Sequence, residues 1–301
     1  MSNKFIGYLY IAIAATLWGS FSVVSKVFFN NAYFNPIQIT QIRALTSGVI
    51  LFIILFAVNR EALKIDIKSL GVFFLLGVVI IHVQLSLFFT IKLTDVSIAS
   101  FLQYLAPALI FAYSVVFHQE PVHSKDILIL GLAIAGIIFL IASSCQNNLN
   151  MFGIISGLWT AVALSIYTIY SKFVAQKHNP WAALTYGMLS VSLLLLVAFP
   201  PSIKVFDGFP YNTTLFLLYI SLFTMIIPYG LFLLGMRFIK PHQASITATL
   251  EPVVALVLSG LLSLELLTPI KLMGCLFIIS SVILLAYQNI TNKEQNENNS
   301  G

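Results

Sequence analysis

Residues 99–107 read ASFLQYLAP, and residues 244–252 read ASITATLEP. Each segment begins with Ala-Ser and ends at a proline, and a glutamate follows each proline at the same distance, at Glu120 and Glu265. All of these matches share an offset of 145 residues. Repetition in one register over such a length indicates an internal duplication rather than chance similarity.

The duplication extends toward the beginning of both copies. At offsets within one residue of 145, the further matches are Gly7 with Gly153, Ser25-Lys26 with Ser171-Lys172, and Asn35-Pro36 with Asn179-Pro180. We therefore predict two related halves, residues 1–148 and residues 149–290. The polar tail that follows, residues 291–301, has no apolar periodicity and is expected to be disordered.

The composition of the chain is that of a membrane protein. Hydrophobic residues make up 59% of the 301 residues and charged residues 8%, whereas soluble domains contain about 25% charged residues. Successive apolar runs approach the roughly 20 residues that a helix needs to cross a bilayer. This pattern predicts an all-α membrane protein with ten transmembrane helices, at residues 5–28, 37–58, 70–91, 97–117, 126–145, 152–173, 182–199, 214–236, 244–263 and 270–288.

The basic residues predict how these helices are oriented. With a cytoplasmic N-terminus, ten Lys and Arg residues fall in cytoplasmic segments and four on the opposite side, as the positive-inside rule requires. Each half contains five spans, an odd number, so the two halves are predicted to form inverted repeats. We expect a multi-pass protein of the cell membrane with both termini cytoplasmic. The formal charge of +5 then reflects topology and contact with the lipid bilayer, and does not indicate nucleic acid.

Sites for metals and nucleotides are missing from the sequence. No His and Cys residues stand at metal-ligand spacing, and neither H-E-x-x-H nor the phosphate loop G-x-x-x-x-G-K-[ST] is present. The two cysteines, Cys145 and Cys275, stand near the outer ends of the fifth and tenth predicted spans, where either a disulfide or, as is typical of isolated cysteines in apolar helices, a packing role is predicted. We therefore expect no metal, no cofactor and no enzymatic activity.

Several motifs together resemble a known family. Leu17-Trp18-Gly19 in the first predicted span, Arg43 in the second, and the doubled Pro-x12-Glu feature are similar to EamA-type members of the drug/metabolite transporter superfamily, over about residues 5–290. The resemblance implies ten helices in two inverted five-helix repeats, a central substrate cavity and alternating access without ATP. The second half departs from the pattern, because Leu164-Ser165 stand in place of Trp18-Gly19 and Gly187 stands opposite Arg43. The predicted cavity is therefore chemically asymmetric.

Pro107 and Pro252 stand at matched places in the fourth and ninth predicted spans. A proline inside a helix leaves the carbonyl four residues earlier without its donor, here the carbonyls of Gln103 and Ala248. At membrane depth such groups are tolerated where protein or a water-filled cavity satisfies them. The two prolines are predicted either to shape helix packing or to border a cavity.

Two charged residues lie inside predicted spans, Glu251 in the ninth and Arg43 in the second. A buried carboxylate must be protonated, paired or facing water. Glu251 is therefore predicted to bind a cationic group of a substrate, to carry a coupling proton, or to pair with Arg43. The planar guanidinium of Arg43 suits either a substrate carboxylate or a carboxylate of the protein.

The remaining candidates are aromatic or polar residues near the matched motifs. Trp18, Gln103, Tyr104 and Tyr229 are predicted to line a substrate site together with Arg43 and Glu251. Tyr229 follows Pro228, which frees the carbonyl of Thr224. Glu120 and Glu265, at span ends, are expected to act in gating with Pro107 and Pro252.

These observations predict a secondary active transporter, and the family resemblance implies that it works by alternating access through a central cavity. By analogy with that family, its substrates are expected to be small polar metabolites such as amino acids or related amphiphilic compounds, and export is the expected direction. The segment from Gln103 to Pro107 also resembles relatives that import choline-like amines. An intramembrane enzyme, a channel or a scaffold is a further alternative. The expected partners are the substrate and the bilayer, and the chain is expected to be a monomer or a weak homodimer.

Overall fold

The computed structural model describes residues 3–30, 35–94, 99, 102–118, 124–142, 150–200, 213–261 and 268–298, and the regular elements within them are all helical. In chain order these helices are α1 (Asn3–Asn30), α2 (Pro36–Val58), α3 (Ile67–Leu93), α4 (Ala106–His118), α5 (Ser124–Ala142), α6 (Met151–Lys177), α7 (Pro180–Ala198), α8 (Thr213–Ser221), α9 (Ile227–Gly235), α10 (Pro241–Ala248), α11 (Leu250–Leu261) and α12 (Pro269–Asn298). A 3-10 turn, Arg60–Leu63, precedes α3. A π-helical turn, Leu222–Ile226, joins α8 to α9.

Six helical segments within the described residues are long and apolar enough to cross a membrane. They are Asn3–Val24, Pro36–Val58, Ile67–Leu93, Met151–Lys177, Pro180–Ala198 and Thr214–Gly235. The segments Ala106–Phe117 and Pro269–Leu284 are apolar but shorter. The all-helical membrane fold is therefore established, whereas ten complete crossings stay a prediction. Within the fourth and ninth predicted spans, turns at Tyr104-Leu105 and at Thr249 interrupt the helix directly before α4 and α11.

The duplicated Asn-Pro pairs begin equivalent helices in the two halves. Asn35 is the N-cap of α2, and its side chain accepts a hydrogen bond from the Gln38 amide at 2.8 Å. Asn179 is the N-cap of α7 and accepts one from the Trp181 amide at 2.9 Å. In both cases the following proline occupies the first helical turn, where its missing N–H costs nothing. The repeated dipeptide therefore fixes where each second helix starts.

α3 begins with a different cap outside the membrane. The Asp66 side chain accepts a hydrogen bond from the Ser69 amide at 3.4 Å. Hydrogen bonds from Ser69 lower the pKa of the Asp66 carboxyl below its usual value, because they favour the charged form. The carboxylate also lies at the positive end of the helix dipole.

The contacts between the helices of the two halves are symmetric, so that exchanging the halves gives the same set of helix pairs. The second helices of the halves, α2 and α7, are in contact, and so are the fifth helices, α5 and α12. α3 packs on α6, and the reciprocal pair, α1 with α9, is also in contact. This is the contact pattern that a two-fold relation between duplicated halves produces. Inversion in the membrane and the boundary near residue 148 stay predictions.

Gly19 allows α1 to approach α11 closely. A Cβ atom built on Gly19 would lie 2.5 Å from the carbonyl oxygen of Glu251 and 3.0 Å from the Val254 Cβ. Real Cβ atoms do not approach backbone that closely. The Trp18-Gly19 pair of the sequence motif therefore brings α1 against the first turn of α11.

The last helix differs from the sequence prediction. α12 continues to Asn298 and includes most of the segment 291–301, which we expected to be disordered. Lys, Glu and Gln, frequent in this stretch, are good helix formers. They extend a helix that is already nucleated, so no initiation cost opposes them.

Candidate functional site

A cavity lies between the two halves, with an empty volume of about 840 Å³ that includes open space at its mouth. The cavity brings together all six residues predicted to bind substrate, namely Trp18, Arg43, Gln103, Tyr104, Tyr229 and Glu251. Pro107 also lines it, whereas Pro252 is buried in α11. Glu120 and Glu265 lie outside the described residues.

Breaks in two helices shape one wall of the cavity. The chain forms a turn at Tyr104-Leu105, and α4 begins only at Ala106. In the second half Thr249 separates α10 from α11, and its amide bonds to the Ile246 carbonyl at 3.1 Å. Both breaks lie within three residues of the matched prolines. Gln103 and Tyr104 therefore lie at one interrupted segment, and Glu251 lies in the first turn after the other.

Arg43 is buried and held by two polar neighbours. Its Nε donates to the Thr224 hydroxyl and its Nη2 to the Thr224 carbonyl, both at 3.0 Å. Its Nη1 donates to Gln84 Oε1 at 3.0 Å. Phe21 covers the guanidinium, with its ring centroid 4.2 Å from the Arg43 Cζ. The sequence predicted that Pro228 leaves the Thr224 carbonyl without its helical donor. In the structure Arg43 donates a hydrogen bond to this carbonyl.

Arg43 and Glu251, one of the pairings predicted from the sequence, do not form an ion pair in this structure. Within the described part of the chain, no carboxylate lies within 4.0 Å of the guanidinium of Arg43. Three neutral acceptor contacts from Thr224 and Gln84 satisfy part of its donors instead. Two of its five N–H groups are left for another partner.

Gln84 also lines the cavity, although the sequence alone did not select it as a candidate. Besides accepting from Arg43, its Nε2 donates to the Tyr229 hydroxyl at 3.3 Å and approaches the Met225 sulfur at 3.4 Å. It therefore links α2, α3 and α9 at the wall of the cavity. The sequence signal for Gln84 was an amide side chain within an apolar span. Whether that side chain points into the cavity depends on the rotation of α3, which the sequence does not give.

Glu251 is partly buried and faces the cavity. The Ser22 hydroxyl donates to its Oε1 at 3.4 Å, and the Tyr104 hydroxyl lies near the carboxylate. Among the described residues, no Lys, Arg or His side chain lies within 4.0 Å of it. Its place in the first turn of α11 offers partial compensation from the helix dipole. The cavity thus contains a carboxylate without a cationic partner in the described chain.

Four aromatic side chains form a cluster beside this carboxylate. Trp18 meets Tyr229 edge to face, with ring centroids 5.1 Å apart, and lies 5.5 Å from Phe232. Tyr167 lies 5.7 Å from Tyr229 and 5.4 Å from Phe232. All four rings line the cavity. Aromatic faces attract a cation electrostatically, so the cluster adds to the negative character of the site.

Several polar atoms around the cavity have no hydrogen-bond partner within the described residues. They include Trp18 Nε1, Gln103 Oε1 and the Tyr104 hydroxyl, all buried. The Tyr167 hydroxyl is also unpartnered, although Ser171 lies near it. Buried polar groups in folded proteins are almost always hydrogen-bonded to protein, water or ligand. Their grouping at one cavity indicates a site for a polar molecule.

Family comparison agrees with this geometry. The EamA-like transporter family matches residues 5–142 and 151–287, which is most of both halves. This chain belongs to the EamA-like transporter family. As an EamA-family protein it is a multi-pass membrane transporter, and the resemblance noted from its motifs is confirmed.

Relatives from bacteria and archaea are similar over most of this EamA-family chain. The uncharacterized inner membrane transporter YicL of Salmonella typhimurium is 28% identical, covering 93% of this chain and 95% of that protein. An uncharacterized transporter of Clostridium kluyveri is 22% identical, covering 92% of each. An uncharacterized transporter of Archaeoglobus fulgidus is 28% identical over 64% of this chain and 68% of its own length. One crystal structure has a TM-score of 0.72 at 16% identity, covering 95% of this chain and 97% of that chain, and so shares the fold.

Proposed function

We propose that this EamA-family protein is a secondary transporter of small polar metabolites that carry an ammonium group, such as amino acids or related amphiphilic amines. It exports them from the cell by alternating access, in the cell membrane and with both termini cytoplasmic. The observation that carries the proposal is the Glu251 carboxylate, which faces a cavity lined by aromatic rings and lacks a cationic partner in the described chain.

Electrostatics favours a cationic group beside Glu251. A charged side chain inside the membrane region costs several kcal/mol unless it is paired or solvated. The Ser22 hydroxyl at 3.4 Å is a long and neutral contact, so it compensates little of this cost. A substrate ammonium next to the carboxylate restores the balance, and the neighbouring faces of Trp18 and Tyr229 add cation–π attraction.

Arg43 supports recognition of a carboxylate at another part of the same cavity. Thr224 and Gln84 fix the plane of the guanidinium, so it is already oriented before substrate arrives. Its two remaining N–H groups suit the two oxygens of a carboxylate. A cavity with one fixed positive group and one negative group matches a zwitterion. This supports amino acids as members of the substrate class.

Gating follows from the two ends of the cavity. The lining includes Ile91, close to the end of α3 at Leu93, so the cavity extends toward the predicted external side. On the opposite side Lys172 Nζ donates to the carbonyls of Met236, at 2.7 Å, and Ile239, at 2.9 Å. These contacts join the end of α6 to the segment after α9. Alternating access requires them to break when the cavity opens to the cytoplasm.

A second set of contacts reinforces this closure. Arg237 Nε donates to the Ala175 carbonyl at 3.0 Å, and its Nη2 donates to the His178 carbonyl at 3.1 Å. Each segment thus supplies a basic side chain that binds the carbonyls of the other. Charge-assisted hydrogen bonds of this kind contribute about 1.5–3 kcal/mol each, which is enough to bias the populations of two states.

Counterflow in proteoliposomes tests the proposal. A labelled panel of amino acids and amines is exchanged at zero gradient, and accumulation is then measured after a pH jump. In Glu251→Gln we expect both activities to fall about 10- to 100-fold, because the loss of a charge-assisted hydrogen bond weakens binding. Glu61→Gln changes an exposed glutamate that pairs with Lys64 and does not line the cavity, and it should leave both activities unchanged.

Two outcomes would contradict the ammonium role of Glu251. Full activity of Glu251→Gln in both assays means that the carboxylate does not bind substrate. Loss of pH-driven accumulation with intact exchange means that Glu251 carries a coupling proton instead, since exchange needs no net proton movement.

A further inference from the structure

Two buried oxygens that line the same cavity as Glu251 can accept a hydrogen bond, namely Gln103 Oε1 and the Tyr104 hydroxyl. Gln103 Oε1 accepts only, and the Tyr104 hydroxyl accepts as well as donates. Gln103 is 5% exposed and Tyr104 is 4% exposed, and neither of these oxygens has a partner among the described residues. The Tyr104 hydroxyl lies near both the Gln103 amide and the Glu251 carboxylate. Ser22, Gln103, Tyr104 and Glu251 all line the cavity, so a bound ammonium group meets two further oxygens that can accept its N–H bonds besides the carboxylate.

Ammonium groups differ in how they can use such a region. A primary ammonium has three N–H bonds, and it can donate to Glu251, Gln103 and Tyr104 at once. A quaternary ammonium has no N–H bond, so the acceptors of Gln103 and Tyr104 stay unpaired after it enters. An acceptor that is buried and left unpaired costs more than the average hydrogen bond contributes.

The aromatic cluster does not offer a quaternary ammonium an alternative enclosure. The four ring pairs among Trp18, Tyr167, Tyr229 and Phe232 have centroid separations of 5.1, 5.5, 5.7 and 5.4 Å. At such separations the rings contact one another, so a trimethylammonium group does not fit between them. The rings therefore form a packed wall beside Glu251 and do not enclose a box.

We propose that the cavity selects ammonium groups that carry N–H bonds over quaternary ammonium groups, and that Gln103 and Tyr104 determine this selectivity. The inference rests on the proposed function, because it assumes that a substrate ammonium lies at Glu251. It narrows the substrate class to amines whose protonated form carries at least one N–H bond, including ordinary amino acids. It disfavours the choline-like amines that the sequence left open.

The test is binding of an N-methylation series to the purified full-length protein in detergent, measured by calorimetry. The probes are 2-phenylethylamine with zero, one, two and three N-methyl groups, and phenylalanine beside its N,N,N-trimethyl form. We expect affinity to fall along the series and the trimethyl forms to bind about 100-fold more weakly than the primary amines, since two buried acceptors lose their partner. Equal or tighter binding of the trimethyl forms overturns the inference and leaves the proposed function intact.

Variants locate the selectivity. In Gln103→Leu and Tyr104→Phe the preference for the primary amine should shrink about tenfold each. Tyr104→Phe removes a hydroxyl without a partner, so the apo protein should be no less stable than wild type. Tyr170→Phe is the matched control, because its hydroxyl bonds to the Val72 carbonyl at 3.0 Å and does not line the cavity. It should keep the wild-type preference.

The failures can be told apart. If the preference persists unchanged in Gln103→Leu and Tyr104→Phe, these residues do not determine selectivity and the inference is overturned. If no member of either series binds, the ammonium site itself is wrong, and the proposed function and the inference fail together.

Discussion

Replacing Arg43 with Met measures what the buried guanidinium contributes to the fold. The change removes three hydrogen bonds, to the Thr224 hydroxyl, the Thr224 carbonyl and Gln84 Oε1. It leaves the Thr224 carbonyl and the Gln84 oxygen without these donors. Hydrogen bonds to a charged group contribute about 1.5–3 kcal/mol each, and part of the loss is recovered because the desolvation of Arg43 is relieved. We expect the free energy of unfolding to fall by about 3–6 kcal/mol.

The second change, Glu251→Gln, should affect the free energy of unfolding much less. Its carboxylate accepts a long hydrogen bond from the Ser22 hydroxyl at 3.4 Å, and Gln keeps an oxygen in that place. Removing a charge that lacks a cationic neighbour in the described chain relieves desolvation, so stability should stay within about 1 kcal/mol of wild type or increase. The effects of the two changes should then add, with a coupling of less than about 0.5 kcal/mol.

Reversible unfolding in mixed micelles gives the free energies of the wild type, both single variants and the double variant. A coupling energy near zero agrees with separate roles for the two residues. If the double variant instead regains 2 kcal/mol or more relative to Arg43→Met, Arg43 and Glu251 are paired in solution. About 3–5 kcal/mol is typical when one partner of a buried ion pair is removed, so the two results are well separated. Such a recovery would refute the hydrogen-bond assignment of Arg43.

Two further predictions concern packing and gating. Gly19→Ala should lower the free energy of unfolding by about 1–3 kcal/mol and weaken substrate binding, because the added Cβ would lie 2.5 Å from the Glu251 carbonyl oxygen and push α1 away from α11. Melting and binding curves check this. Unchanged stability and binding would mean that α1 and α11 can move apart without cost. Lys172→Met removes hydrogen bonds to the Met236 and Ile239 carbonyls. A cysteine introduced at Ser245 should then react at least about tenfold faster with a thiol reagent added on the cytoplasmic side. An unchanged rate would show that these contacts do not hold the cavity closed.

Much of the fold was predictable from local sequence. Asn35-Pro36 and Asn179-Pro180 mark the starts of α2 and α7 because capping and the fixed φ of proline act within one turn. The breaks beside Pro107 and Pro252 are local for the same reason. The tail was predicted less well. Composition favoured disorder for 291–301, but the chain continues the helix already formed in α12.

The sequence predicted many of the residues of the candidate site but not the contacts between them. Depth along a predicted helix identified Arg43 and Glu251 as buried charges, and the duplicated prolines pointed to Gln103 and Tyr104. Gln84 and Ser22 were not selected, because a polar residue in an apolar span has a function only if its side chain points inward. That direction depends on helix rotation, which a single apolar span hardly encodes when lipid covers its other faces.

The sequence by itself determined the membrane class, the duplication, the helix starts and the residues able to carry charge. These features depend on composition and on interactions between residues close in the sequence, and neither requires the tertiary structure. Only the tertiary structure decided that Arg43 binds Thr224, 181 residues away, and that Glu251 stays without a cation in the described chain. Such choices depend on which faces of α1, α2, α3 and α9 meet, and packing of whole helices sets these faces.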